Sequence, residues 1–331
     1  MRLAAPVSRP PQKLARLQEL ARGWYVVASS KDLRRQPTAV VLAGRELVVW
    51  RTRRGTPVAM DRFCPHQGAA LELGTVVDES LRCAFHHWRF DATGACIAAP
   101  ETRRIPNDAS ASVRPVWEGL GYVWVWVGSS EPDYPPPTFP HLDPEAPPHR
   151  RYAFTFRTNA PARRVLENGF DVPHFAVVHG IDADLQLSWR RDTEPHLIAA
   201  RLTAESIRLP SPIDRLMTIG PLCLDLQSTA SYQILTFELD GVPVAHELLA
   251  LTPGTVDSTT MRGWTVMPRA KGVLGSGAAF WGYRLQHRQG TRSDLRVYRN
   301  AVATDGSINT ADDEGVLRFR QFYRGWLGDA E

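Results

Sequence analysis

Apolar positions fall at two different periods along this chain, and the changes of period divide it. Residues 11–22, PQKLARLQELAR, place Leu14, Leu17 and Leu20 on one side of a predicted helix. Beyond them the apolar residues come in short β-branched and aromatic runs: WYVVAS, TAVVL, ELVVW, PVAMDRF and, further on, YVWVWV. Glycine, proline and charged residues separate these runs, which is the pattern of several short strands at close spacing. Residues 129–150, SSEPDYPPPTFPHLDPEAPPHR, then carry eight prolines. Proline at that density fixes φ, removes backbone donors and favours extended chain. A boundary is therefore expected here, with an all-β unit over 1–135, a proline-rich linker over 136–150 and a second domain over 151–331.

In the second domain strands and helices alternate. RYAFTFR reads as a strand, and PARRVLENGFDVPHFAVVH reads as helical with a break near Pro173. Between residues 186 and 268 the runs LQLSWRR, LIAARLTA, ASYQILTFEL, ELLALT and MRGWTVM read as further strands. Residues 281–327 turn helical again, with apolar spacing in VLRFRQFYRGWL. A sheet flanked by helices places this half, and with it the chain, in the α+β class.

Composition narrows the function. At 331 residues, 43% apolar and 22% charged, the chain can bury ordinary cores in two domains. The net charge of +4 is small and scattered, which argues against nucleic-acid binding. The four cysteines, Cys64, Cys83, Cys96 and Cys223, are too few for a disulfide scaffold in so long a chain. The first 23 residues have no apolar core of a secretory signal, and no run approaches the ~18 apolar residues of a membrane span. The expectation is a cytoplasmic protein whose thiols remain free for metal.

Two short segments offer ligands in a particular mixture. Phe63-Cys64-Pro65-His66-Gln67-Gly68 and Arg82-Cys83-Ala84-Phe85-His86-His87-Trp88 each supply one thiol and one imidazole. Cys₂His₂ sets also hold structural zinc, but zinc sites usually take both cysteines from one knuckle and both histidines from another element. Here each loop mixes the two, as C-x-H and C-x₂-H. Further on, Glu167-Asn168-Gly169-Phe170-Asp171-Val172-Pro173-His174-Phe175-Ala176-Val177-Val178-His179-Gly180 holds two histidines five residues apart. Five helical steps turn the second about 140° from the first, so both can face one ion only if the helix ends or distorts between them. Gly180 follows as a helix stop would. Asp171 lies three residues before His174, on the same helical side, where a carboxylate can orient an imidazole ligand.

The first pair of loops resembles the Rieske motif, in which two thiolates hold one iron and two imidazoles the other iron of a [2Fe–2S] cluster. Gly68, Leu71, Trp88 and Phe90 extend the match, while Ala84 and His87 depart from the usual proline and glycine. The later segment resembles the N-x-x-D-x-x-H-x₄-H stretch of Rieske-type non-haem iron oxygenases. The resemblance implies an all-β Rieske domain followed by a helix-grip-like catalytic domain with an antiparallel sheet. It makes Cys64, His66, Cys83 and His86 the cluster ligands and His174 and His179 ligands of a mononuclear Fe(II). Asp171 becomes the carboxylate through which a neighbouring subunit's His86 reaches the iron site, and Asn168 a residue beside the iron. A third ligand is needed for a 2-His-1-carboxylate triad. The segment Ala311–Tyr323 resembles the family's C-terminal helix, and there Asp313 is expected, with Asp312 and Glu314 as rivals.

The activity so implied is that of a terminal oxygenase acting on a hydrophobic aromatic or polycyclic molecule by hydroxylation, demethylation or amine oxidation. Length and C-terminal helix resemble the single-subunit-type monooxygenases and imply a homotrimer. The chain has no G-x-G-x-x-G placed for a dinucleotide, so a ferredoxin or reductase is the expected electron donor. Arg51, Arg53, Arg54, Arg82, Arg89, Arg103 and Arg104 flank the cluster loops as candidates for steering an acidic ferredoxin. A non-catalytic Rieske electron carrier or binding protein is the alternative; it holds two irons per chain where an oxygenase holds three.

Overall fold

The computed structural model describes residues 20–34, 36–139, 149–191, 193–206, 220–254, 258–268, 273–301, 306 and 308–328. Its N-terminal part is built from three small antiparallel sheets. In the first, β1 (Gly23–Ser29) pairs with β11 (Tyr122–Val127), which also pairs with β10 (Val116–Gly119). The second runs β2 (Thr38–Leu42), β3 (Arg45–Arg51), β4 (Pro57–Asp61) and β9 (Val113–Arg114). The third, β5 (Thr75–Val77), β6 (Ser80–Arg82), β7 (Arg89–Asp91) and β8 (Cys96–Ala98), carries one of the two thiol–imidazole loops. Most of the predicted 11–22 helix lies outside the described residues. Its last part is not helical, because Ala21 forms a bridge to Leu327 instead.

The second half is a seven-stranded antiparallel sheet in the order β12 (His149–Thr158), β18 (Thr259–Pro268), β17 (Val242–Pro253), β16 (Tyr232–Leu239), β15 (Leu222–Ser228), β14 (Ile198–Ala204), β13 (Gln186–Trp189). β15 is missing from the sequence reading. Asp225 breaks its apolar run, and the structure accommodates that carboxylate inside the sheet with Arg201 at 3.1 Å. The helices are α1 (Ala162–Glu167), α2 (Val172–Val177), α3 (Val273–Asn300) and α4 (Glu314–Gly325). The predicted 281–327 helix is thus two helices, the first beginning earlier than its apolar pattern suggested.

Alternation along β17 assigns the two faces of the sheet. Leu248 and Ala250, with Tyr232, Ile234 and Val266, pack against Trp24, Trp124 and Trp126 of β1 and β11. Leu251 and its neighbours on the opposite face join the core with α1, α3 and α4. One face therefore docks the N-terminal sheets and the other supports the helices. Cross-links reinforce the first contact: Thr252 Oγ1 donates to Val26 O at 2.7 Å, and Tyr122 OH donates to Gly263 O at 2.9 Å.

The proline-rich segment is not a free spacer over its described part. Tyr134 and Phe139 are buried in the core between the two sheets, and Trp24 Nε1 donates to Tyr134 O at 3.0 Å. The Tyr134 ring stacks on His196 at 4.4 Å and meets Trp126 and Trp326 edge-on. Proline supplies extended chain, and the intervening aromatics anchor it. Tyr134→Ala is expected to cost about 3–5 kcal/mol, the range for truncating a buried ring, read as a lowered denaturant midpoint.

Candidate metal centres

The two thiol–imidazole loops have the same construction. Cys64 N–H donates to Ala69 O and Cys83 N–H donates to Trp88 O, each at 2.8 Å and each spanning five residues. Four residues after each cysteine the backbone enters the left-handed region, at Gly68 (φ 69°) and His87 (φ 58°). This explains why the family pattern has glycine where this chain has His87: the turn asks for positive φ, and a side chain there is strained. Cys64 and Cys83 are buried side by side. Burial above all, with the adjacent Cys83 adding to it, pushes the Cys64 thiol up to about 11. On the other side, the His66 and His86 rings lie 4.8 Å apart, and His66 stacks on Trp88 at 4.3 Å. His66 Nδ1 is buried and has no hydrogen-bond partner. Paired thiols facing paired imidazoles, one with an orphaned nitrogen, fit a cluster whose two irons take different ligands.

The second centre depends on where a short helix stops. Asp171, at φ −90° and ψ 92°, breaks the chain between the 3₁₀ turn Asn168–Phe170 and α2. Its Oδ1 caps α2 by accepting from His174 N–H at 3.3 Å, and Pro173 lies in the first turn, where its missing donor costs nothing. α2 ends at Val177. Gly180 adopts φ 65°, and Ile181 N–H bonds back to Phe175 O at 3.1 Å. The helix therefore ends before His179, which lets its ring return toward His174. The two Nε2 atoms lie 3.0 Å apart.

The third group at this point is Asp294, on α3. Its Oδ1 is 3.0 Å from His174 Nε2 and 3.3 Å from His179 Nε2. Among the described residues this trio is the cluster of His, Cys, Asp or Glu in which three ligand atoms lie within 4.8 Å of one another. Right-angled metal bonds of about 2.1 Å put donors about 3 Å apart, so the spacing suits one ion. Asp294 Oδ1 is also buried with no hydrogen-bond partner. A carboxylate oxygen orphaned between two ring nitrogens fits an iron ligand. Asn168 Nδ2 lies 2.8 Å from His174 Nε2, beside the same point. Burial lowers the pKa of His179, partly offset by Asp294, and so favours the neutral ring that binds metal. Burial likewise raises Asp171, with Asp313 and Glu167 adding to the shift and His174 opposing it.

Asp313 does not join the histidines. Its Oδ2 accepts from Thr310 N–H at 2.6 Å and from Thr310 Oγ1 at 3.0 Å, closing a capping box that starts the turn leading into α4. These bonds hold its pKa below the usual carboxylate range. Asp312 and Glu314 are exposed. The structure thus brings Asp294, and not Asp313, to the two histidines. A signal for it was present: Asp294 is the one acidic residue in the 28-residue α3, which carries five arginines, and it sits beside the buried Thr291, Leu295 and Tyr298. Leu166 and Phe170 are fully buried core, Phe170 stacking on Trp189 and Phe319. One other expectation changes. Arg51 and Arg89 are committed to internal bonds with Glu118 and with Ser80, so they do not project toward a partner.

The platform under the trio is braced from α4. Arg320 grips the buried Glu167 with two bonds of 2.8 Å, and Arg163 reaches the same carboxylate from one turn back on α1. Gly315 allows the close approach, since a Cβ there would lie 2.1 Å from Phe170 O.

Comparison with known proteins agrees with this geometry. Residues 23–109 match the family model of the Rieske [2Fe-2S] domain. The chain is 30% identical to aminopyrrolnitrin oxygenase of Pseudomonas fluorescens, covering 98% of this chain and 96% of that protein. It is 24% identical to the oxygenase component of a 3-ketosteroid-9-alpha-monooxygenase of Rhodococcus rhodochrous, over 94% of this chain and 81% of that one. The fold is similar to that of dicamba monooxygenase bound to dicamba, with TM-score 0.68, 18% identity and coverage of 94% and 97%. It is also similar to a mutant of the Pseudomonas putida CBB5 protein NdmA with caffeine, with TM-score 0.72, 20% identity and coverage of 95% and 96%. No helix among the described residues is long and apolar enough to cross a membrane. With a Rieske domain over residues 23–109 and a relative 30% identical over 98% of this chain and 96% of its own length, this protein belongs to the Rieske non-haem iron oxygenases.

Proposed function

We propose that this terminal oxygenase inserts one atom of O₂ into a hydrophobic aromatic or polycyclic molecule, by hydroxylation, demethylation or amine oxidation. The observation that carries the reading is the convergence of His174 Nε2, His179 Nε2 and the orphaned Asp294 Oδ1 on the helix-covered side of the sheet. When bound, the Rieske cluster relays single electrons and the mononuclear iron activates O₂. Cys64 and Cys83 would hold one iron of the cluster, His66 and His86 the other. His174, His179 and Asp294 would hold the mononuclear iron on one side and leave its other side to O₂ and substrate.

The substrate class rests on the surroundings and on the relatives. Leu235, Phe237 and Leu249 on the central strands β16 and β17, and Phe154 and Phe156 on the edge strand β12, face the helices and are only half-buried. They leave partly accessible apolar surface between the sheet and α3. The relatives named above act on or bind aminopyrrolnitrin, a 3-ketosteroid, dicamba and caffeine, all ring compounds.

The remaining residues position the site. Asp171 fixes the start of α2 and thus His174, and its second oxygen accepts no hydrogen bond among the described residues. In a homotrimer that oxygen is available to the partner subunit's His86. Phe63 and Phe85, exposed on the cluster loops, and Val177, 81% exposed on α2, supply apolar surface for such an assembly. The exposed Arg103 and Arg104, near the cluster domain, are suited to an acidic ferredoxin as donor. The four free cysteines suit a reducing cytoplasm.

Asp294→Ala is expected to abolish substrate-dependent oxygen uptake while the visible absorption of the cluster persists. Asp313→Ala is expected to keep full uptake and to lose only about 1 kcal/mol of stability through its cap. Equal loss of activity in both variants contradicts the ligand assignment. Asp171→Ala is expected to retain both metal centres and lower turnover roughly 100-fold, measured as oxygen uptake against iron content in the same preparation.

A further inference from the structure

The partly accessible apolar surface between the sheet and α3 has one polar end. Glu247, on β17, is 6% exposed and points toward α3. Its Oε1 accepts from Thr265 Oγ1 and from Tyr283 OH, each at 3.1 Å. Oε2 accepts no hydrogen bond among the described residues, and 8% of the side chain remains accessible. No guanidinium or ammonium among the described residues pairs with it. His287 Nε2, 3.8 Å from Oε1, is too far for a hydrogen bond. Arg284 instead lies over the rings of Tyr152 and Trp281, at 5.3 and 5.0 Å. A buried carboxylate half-satisfied by neutral hydroxyls is an incomplete site, and a positive charge completes it most favourably.

The walls favour the same sign. His287 lies among aromatic rings, 4.7 Å from Phe154, 5.8 Å from Tyr152 and 6.4 Å from Phe156. Phe237 packs on Tyr283 at 6.0 Å. Ring faces carry the negative end of the aromatic quadrupole, so the aromatic surroundings of His287, next to Glu247, favour a cation over an anion.

Position relates this end to the iron trio. His287 and Asp294 are seven residues apart on α3, which puts them on one helix face about 10 Å apart. That span is roughly two fused aromatic rings with a short side arm.

We infer that Glu247, bonded to Tyr283 and next to His287, which itself lies among the rings of Tyr152, Phe154 and Phe156, recognises a protonated amine on the substrate. The substrate is then a polycyclic or aromatic amine whose ring system extends toward His174, His179 and Asp294. This rests on the oxygenase reading and narrows it from hydrophobic ring compounds to cationic ones.

The test is calorimetric titration of the metal-loaded protein with three probes of equal ring size: 2-(2-naphthyl)ethylamine, 2-(2-naphthyl)ethanol and 2-naphthylacetate. The amine is expected to bind about tenfold more tightly than the alcohol, and the acid most weakly. Glu247→Gln, close in shape, is expected to weaken the amine about tenfold while the alcohol binds as before. Equal binding of the three probes by the wild-type protein, or preference for the acid, overturns the inference without any variant. A Glu247→Gln protein that loses amine and alcohol alike gives the carboxylate a purely structural role and also overturns it. Iron content of the same samples separates the two readings. Three irons per chain without amine preference removes this inference alone, whereas amine preference with two irons per chain removes the oxygenase reading.

Discussion

The end of α2 between His174 and His179 is the constraint on which the catalytic half depends. Had the helix continued, the two imidazoles would have pointed about 140° apart, and no single ion could have joined them. Asp171 starts this helix late, through its bond to His174 N–H, and Gly180 at φ 65° allows it to stop early. Six residues of helix are left, just enough to present one ring from within it and one from beyond it toward Asp294 of α3. Such a short helix has little stability of its own. Glu167, held by Arg163 and Arg320, ties the preceding turn to α4 and supplies what the helix lacks.

A single sheet then relates the two centres. Its aromatic-packed face fixes β1 and β11, and through them the N-terminal sheets, while the other face carries the His174–His179–Asp294 trio and the half-buried apolar residues. Burying Trp24, Trp124 and Trp126 at this contact contributes on the order of several kcal/mol. The thiol–imidazole loops and the His174–His179–Asp294 trio are therefore joined through one sheet.

Much of this was legible in the sequence where a local rule applies. Alternating strands, the mixed thiol–imidazole loops and the need for a break between the histidines all follow from spacing within a few residues. The positive φ shared by Gly68 and His87 could be inferred only from the glycine usual at the second position, because nothing in the histidine itself announces the turn. The carboxylate beside the histidines was not legible for a different reason. The acidic turn at 312–314 resembles a ligand segment, yet Asp313 is a cap residue, a role that also favours an acid three residues after threonine. Asp294 is remote in sequence from His179, and only tertiary packing of α3 brings it there. The same holds for Tyr134 and Phe139, whose burial within a proline-rich stretch depends on two sheets closing around them.

The central claim is that one iron is held by His174, His179 and Asp294 while a separate iron–sulfur pair is held by Cys64, His66, Cys83 and His86. Anomalous diffraction at the iron edge from crystals of the metal-loaded protein tests it most directly. The account predicts a single compact peak between the two Nε2 atoms and Asp294 Oδ1, and a second, elongated peak between the two loops. Iron beside Asp313, or no peak at the histidines in protein that retains its cluster, would contradict it.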